Sequence, residues 1–256
     1  MTVRFSTSLR NNLAGPTGFG ATFANGILEV RTGTQPATAD SAASGTLLGT
    51  VTLASGAFTA ETPATQTITI AGASGSINTV NVGTTGPVNI IPLGAVNFDT
   101  DTTVTAAALR DAIIRAGIYR ATSSGAVVTV IAPYGTGDAH NGLALSTTVT
   151  TLTATSGGNM TGGVDAANGL AFAAPSNGAI SKAGTWSFVG VAAGTAGWFR
   201  LKAAVTDAGG ADTTYIYPRL DGSVATSGAD MNLSNITIAI GSPTTVDSFT
   251  YTQPAS

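Results

Sequence analysis

Short runs of alternating apolar and hydroxyl-bearing residues, cut every few positions by turn residues, dominate this chain. Strands alternate with period two and helices with period 3.6, so such runs constrain the fold class more than any other feature. Residues 27–31 set Leu28 and Val30 on one face and Glu29 and Arg31 on the other. Strands are predicted at 46–53 with a bend at Gly49, at 66–70, 76–82 and 88–93, the last confined to an edge or end by Pro92. Residues 118–121 and 126–132, joined by Ser123-Ser124-Gly125, read as a hairpin. Further strands are predicted at 143–153, 169–172, 184–191, 197–203, 215–217, 236–240 and 246–251. Asn25-Gly26, Asn177-Gly178, Gly209-Gly210, Asp221-Gly222 and Gly241-Ser242-Pro243 are turn signals. Many short strands with recurring turns predict a mainly β chain, a sandwich or a barrel.

One helix interrupts this texture. Residues 103–116 carry Thr105, Leu109, Ala112, Ile113 and Ala116 at helical spacing. Asp101 or Thr103 suits the N-cap, and Gly117 the stop. The glycine-rich stretch before residue 26 reads as loop or arm. The texture changes at about 61 and returns at about 166. The predicted organisation is a discontinuous β domain of residues 1–60 and 166–256, with a small α+β domain of 61–165 inserted. Loops tolerate such insertions where the two ends of the insert lie close together.

Composition narrows function. Charged residues make up 9% of the 256, against roughly 25% in an average soluble domain. Ten basic residues and a net charge of −3 leave no basic stripe for phosphates, so no nucleic acid is expected as partner. With no cysteine there is neither a disulfide framework nor a thiolate ligand or nucleophile. Mean hydropathy is +0.30. No stretch approaches the roughly 20 apolar residues of a membrane span, and the first twelve residues lack the apolar core of a secretory leader. No membrane partner is expected. A charge-poor surface is easier to keep soluble where neighbouring subunits cover it, which favours an assembly over a monomeric domain with a Thr/Ser surface.

Few residues suggest chemistry. His140, the single histidine, sits with Asp138 in a glycine-rich turn. No second histidine completes a usual metal or acid–base set, so a solvated turn is expected there. Asp99 and Asp101 resemble the start of a calcium loop, but the glycine and distal glutamate are missing, and capping is the expected role. Gly15, Gly18 and Gly20 do not match the dinucleotide spacing and read as loop. Trp186 and Phe188 share a face and are assigned to the core. Trp198 and Phe199 point oppositely, so one of them is a candidate interface contact. Arg219-Leu220-Asp221-Gly222 and residues 227–233 read as structured connections, with Arg219 pairing Asp221 or Asp230. No catalytic, cofactor-binding or metal-binding residue is assigned, and an enzyme is not expected.

Residues 23–40 (FANGILEVRTGTQPATAD) and 44–53 (SGTLLGTVTL) resemble a family of small tailed-bacteriophage structural proteins. So do 194–200 (GTAGWFR), 219–223 (RLDGS) and 227–235 (SGADMNLSN). The likeness spans about 1–53 and 169–256. The middle part looks like a phage module inserted in assorted tail and capsid proteins: strands, a helix with AAALRDAI at 106–113, a hairpin and a closing Gly-Gly-Val-Asp at 162–165. The resemblance implies a jelly-roll-like β-sandwich in a virion, made in the host cytoplasm. It does not fix the station on the virion. Taken with the charge-poor surface and the glycine-rich N-terminal arm, it gives the expected role, a capsid decoration (cement) protein on the capsid exterior that binds the major capsid protein. A homo-oligomer, a trimer or dimer, is expected. A tail, baseplate or fibre component is the alternative.

Overall fold

A computed structural model describes residues 3–253. The chain forms two compact units. One contains the residues up to Ala14, Gly18–Glu61 and those from Ala166 on; the other contains Gly15–Thr17 and Thr62–Asp165.

In chain order the first unit opens with β1 (Arg4–Phe5), α1 (Thr7–Ala14), α2 (Phe19–Phe23), β2 (Ile27–Thr32) and β3 (Leu47–Leu53). The second holds β4 (Thr65–Ala71), β5 (Ser76–Val82), β6 (Val88–Asn89), β7 (Val96–Asn97), α3 (Thr102–Ala116), β8 (Arg120–Ser124), β9 (Val127–Ile131), β10 (Leu145–Thr150) and β11 (Thr153–Ser156). The first unit resumes with β12 (Ala171–Phe172), β13 (Ala179–Ala183), β14 (Trp186–Val189), β15 (Gly194–Lys202), β16 (Arg219–Ala225), β17 (Met231–Leu233), β18 (Thr237–Ile238) and β19 (Pro243–Thr252).

The chain is mainly β, as its period-two runs predict. The first unit, however, is a closed barrel where a sandwich of two sheets was expected. Pairing runs β16–β15–β2–β3–β14–β19, and β17 joins β19 back to β16. Closure removes the open edges that two stacked sheets would leave. The closing strands lie where the sequence was read as connections. Asp221-Gly222 is strand interior, because Phe199 fills the space above Gly222: a Cβ there would lie 2.6 Å from the ring. The barrel is filled by Leu28, Val30, Val51, Trp186, Phe188, Phe199, Leu201 and Phe249. Gly49 is also dictated by packing, since a Cβ would overlap the Phe188 ring.

Three further expectations change. Residues 7–23, read as arm, contain α1 and α2; Ser6 Oγ caps α1 by accepting from Leu9 N at 3.1 Å. Residues 215–217 form no strand, and Tyr215 has a left-handed backbone, φ 56°. The strand predicted at 236–240 shrinks to β18.

The second unit has two four-stranded sheets, one with β10, β5, β6 and β7, the other ordered β11–β4–β9–β8. Its core is aliphatic, with Ile68, Ile77, Val80, Leu109, Ile113 and Val130 buried. Asp101 Oδ1 caps α3 by accepting from Thr103 N at 2.7 Å and Val104 N at 2.9 Å, and Gly117 ends it at φ 70°. Each unit holds its own crossing segments together. Thr59 and Ala167 exchange backbone bonds of 3.2 and 3.0 Å in the barrel unit, and Thr62 and Val164 bonds of 3.0 and 2.8 Å in the insert.

Candidate functional site: a roofed charged wall and an apolar groove

On one wall of the barrel charged residues face outward, and they are buried or half-buried. Register sets Glu29 of β2 beside Arg200 of β15, Arg200 beside Asp221 of β16, and Asp221 beside Arg4 of β1. Signs alternate across all four strands, which is the favourable arrangement for cross-strand neighbours. Arg200 is bidentate to Asp221, with Nε and Nη2 each 2.7 Å from a carboxylate oxygen and both side chains fully buried. Lys202 Nζ lies 2.8 Å from Glu29 Oε1 and also donates to Asp207 O. Arg219 is bidentate to Asp207 at 2.7 and 2.6 Å. Arg219 thus pairs with neither expected partner. Asp221 is taken by Arg200, and Asp230 instead accepts from Ser223 N and Oγ, each at 2.7 Å.

Two long loops, 33–46 and 203–218, roof this wall. Arg200 Nη1 donates to Ser41 O at 2.9 Å and Arg219 Nη1 to Gly210 O at 2.8 Å. The loops also bond each other, through Ala43 N to Gly209 O at 2.9 Å and Asp212 N to Asp40 O at 2.7 Å. Bonds to charged groups are the stronger kind, so the loops are firmly held. Burial alone would raise the Glu29 carboxyl; Lys202 and Arg31 outweigh it and hold Glu29 below the ordinary value. Asp207 follows the same balance, with Arg219, Lys202 and the Gly209 amide prevailing over burial. At Asp221 burial prevails and raises the carboxyl despite Arg200, Arg219 and Arg4.

The roof explains the aromatic pair. Phe199 is in the barrel core as its strand position dictates, and Trp198, on the outer face, is also fully buried. Its Nε1 donates to Thr32 O at 3.2 Å and the Arg200 guanidinium lies 5.6 Å from its ring. Neither is an interface contact. Trp186 and Phe188 are buried in the core as assigned.

A groove of about 580 Å³ opens elsewhere on the barrel unit. Alpha-helix α2 supplies Phe19 and Ala21, β12 Phe172, β13 Ile180, and the end of β19 Tyr251. The Phe19 and Tyr251 rings stack at 4.1 Å with 7° between planes, and Phe172 meets Phe19 edge-on at 5.8 Å. Among the described residues, no charged side chain lines it. Sequence reading missed this groove because its walls come from four distant segments. The one local signal was Phe19 flanked by Gly18 and Gly20, and that motif leads into α2 rather than a loop.

In the insert, Asp99 and Asp101 precede α3, and Asp101 is the cap. Asp138 N is bonded to Asp165 Oδ1 at 3.0 Å. His140 meets Tyr119 edge-on at 5.4 Å, its Nδ1 is buried without a hydrogen-bond partner, and burial lowers its pKa. Burial raises Tyr119 to about 12. Among the described residues, no three His, Asp or Glu side chains gather as metal ligands would. No helix among them is long and apolar enough to cross a membrane. Fold and site together define a mainly β protein with an inserted α+β unit, whose charge is turned inward and whose open groove is apolar. No protein-family model, curated protein or solved structure matches the chain.

Proposed function

We propose that this chain is a structural protein of a tailed-bacteriophage virion, a capsid decoration protein that binds the major capsid protein and stabilises the shell without chemistry. One observation carries the reading. The barrel unit has seven basic residues (Arg4, Arg10, Arg31, Lys182, Arg200, Lys202, Arg219) and eight acidic ones (Glu29, Asp40, Glu61, Asp207, Asp212, Asp221, Asp230, Asp247). Among these described residues Arg10 and Asp247 alone are exposed; the others are buried or half-buried. A solitary soluble domain keeps roughly 25–35% of its surface charged. A surface this neutral suits a protein that lies against other protein, where every charge brought to an interface must be desolvated. The β unit, a closed barrel in place of the jelly-roll-like sandwich the resemblance implies, is the part assigned to the shell. The resemblance of residues 1–53 and 169–256 to phage structural proteins points the same way.

Cryo-EM of the particle tests this. Density over the capsid and hundreds of copies per virion by quantitative mass spectrometry are expected. Density on the tail alone, or no copies, overturns the reading. The groove walled by Phe19, Phe172 and Tyr251 favours one alternative, a tail, baseplate or fibre component that stacks a host sugar on an aromatic ring. That reading predicts few copies.

A further inference from the structure

We propose that Asn177-Gly178 is a site of spontaneous modification, where the Asn177 carboxamide closes onto the Gly178 backbone nitrogen and then opens to aspartate or isoaspartate. This chemistry is independent of the virion reading and stands or falls without it.

The reaction requires the backbone nitrogen of the following residue to reach the side-chain carbonyl carbon of asparagine. Asn-Gly favours it, because glycine has no Cβ to obstruct the approach and its backbone turns freely. The chain has four Asn-Gly pairs, at 25–26, 141–142, 168–169 and 177–178. In three of them the fold holds the reacting groups. Gly26 is buried and its N–H donates to Phe23 O at 3.0 Å. The Asn141 side chain exchanges bonds of 2.8 Å with the Gly163 backbone, and Gly142 N donates to Met160 O at 2.8 Å. Asn168 Nδ2 donates to Ala57 O at 2.7 Å. Gly169 is buried so tightly that a Cβ there would lie 2.0 Å from Asn25 O.

Asn177 and Gly178 differ. Both are exposed, at φ 50° and 73°, in a tight turn closed by Ser176 and Ala179, which exchange backbone bonds of 2.9 Å. Among the described residues, nothing hydrogen-bonds the Asn177 side chain or the peptide group that joins it to Gly178. A Cβ on Gly178 would meet nothing nearer than Gln253 O, at 3.9 Å. Nucleophile and electrophile are therefore adjacent, exposed and unengaged.

The step balances with water alone. Gly178 N gives its proton to solvent and bonds Asn177 Cγ, and the carboxamide C–N bond breaks to release ammonia. Water then opens the cyclic imide. Attack at Cγ leaves aspartate, and attack at the backbone carbonyl leaves isoaspartate, with the chain running through the former side chain. Either product places a carboxylate beside the groove that Gly178 and Ala179 help to line, where no charged side chain lies among the described residues. Isoaspartate also lengthens the turn by one backbone carbon, which shifts Ser176 out of register with Ala179.

The purified full chain is aged in warm, mildly alkaline buffer, one portion folded and one in denaturant. Peptide mapping by mass spectrometry follows ammonia loss and water gain at the four asparagines, and an isoaspartate-specific carboxyl methyltransferase detects the rearranged product. In the folded portion Asn177 is expected to convert roughly tenfold or more faster than Asn25, Asn141 or Asn168, each of which needs local opening first. In denaturant the four rates are expected to converge. Similar rates at all four sites in the folded portion overturn the proposal. So does an Asn177 that reacts only when unfolded, or one that yields aspartate without isoaspartate.

Discussion

The two units use charge in opposite ways. The barrel unit buries Arg200, Lys202, Arg219, Glu29 and Asp221 beneath loops, whereas the insert keeps Asp99, Asp101, Asp111, Arg115, Asp138 and Asp165 exposed. The aromatic side chains divide similarly. Both tryptophans and most phenylalanines lie in the barrel unit, and the insert core is mostly Ile, Val, Leu and Ala, with Tyr119 and Met160 among them. In the insert charge serves solubility and capping. In the barrel it fastens loops, and an ion pair that fastens something inside the protein is costly to break.

The largest expected effect tests this contrast directly. Arg200→Ala leaves Asp221 buried and unpaired and is expected to cost about 3–5 kcal/mol of barrel stability. Arg110→Ala removes an exposed pair with Asp111, 2.7 Å apart, and is expected to cost under about 1 kcal/mol. Similar losses in denaturant unfolding would break the comparison. Next come the two cores. Phe199→Ala is expected to cost about 3–5 kcal/mol and Leu109→Ala about 2–5 kcal/mol. Calorimetry should show the first lowering the barrel transition alone and the second that of the insert; a joint shift of both would mean the units do not unfold separately.

Acid gives a smaller effect. Glu29 and Asp207 have lowered pKa values, so their stabilisation is present above the ordinary carboxylate value of roughly 4 and is lost as pH falls through their folded values. Asp221, raised by burial, acts in the opposite sense: its contribution is full below the ordinary value and lost as pH rises through the folded one. Barrel stability followed by denaturant midpoint is expected to decline below about pH 4, and Asp207→Asn should flatten that decline. An unchanged decline in Asp207→Asn would assign the acid loss to Glu29 instead. The smallest effect is local: Asp101→Ala removes the α3 cap and is expected to cost about 1 kcal/mol, read in the insert transition alone.

Regular alternation was legible. The sequence reading matches β5 in its bounds and overlaps β2, β3, β4, β9 and β19, and α3 differs by one residue. Failures occur where a distant partner overrides local chemistry. Asp221-Gly222 carries turn residues, yet Arg200 neutralises one and the Phe199 ring occupies the space beside the other. Tyr215 and Ile216 have strong strand preference, yet Asp212 bends the chain at Tyr215. Helices α1 and α2 are too short for a 3.6-residue period to show. Alternation correctly placed Trp198 and Phe199 on opposite faces, but nothing local says that loops 33–46 and 203–218 cover the outer one. The groove was illegible for the same reason: Phe19, Phe172, Ile180 and Tyr251 meet only once the barrel has formed.

The inward-turned charge has a kinetic consequence. With only Arg10 and Asp247 exposed on the barrel unit among the described residues, almost no field extends from it to steer a partner. Its encounters should proceed at the unassisted pace of roughly 10⁵–10⁶ per molar per second. They should also change little between dilute buffer and concentrated salt, because there is little for counterions to screen. A barrel built this way trades speed of recognition for indifference to the ionic medium in which it docks.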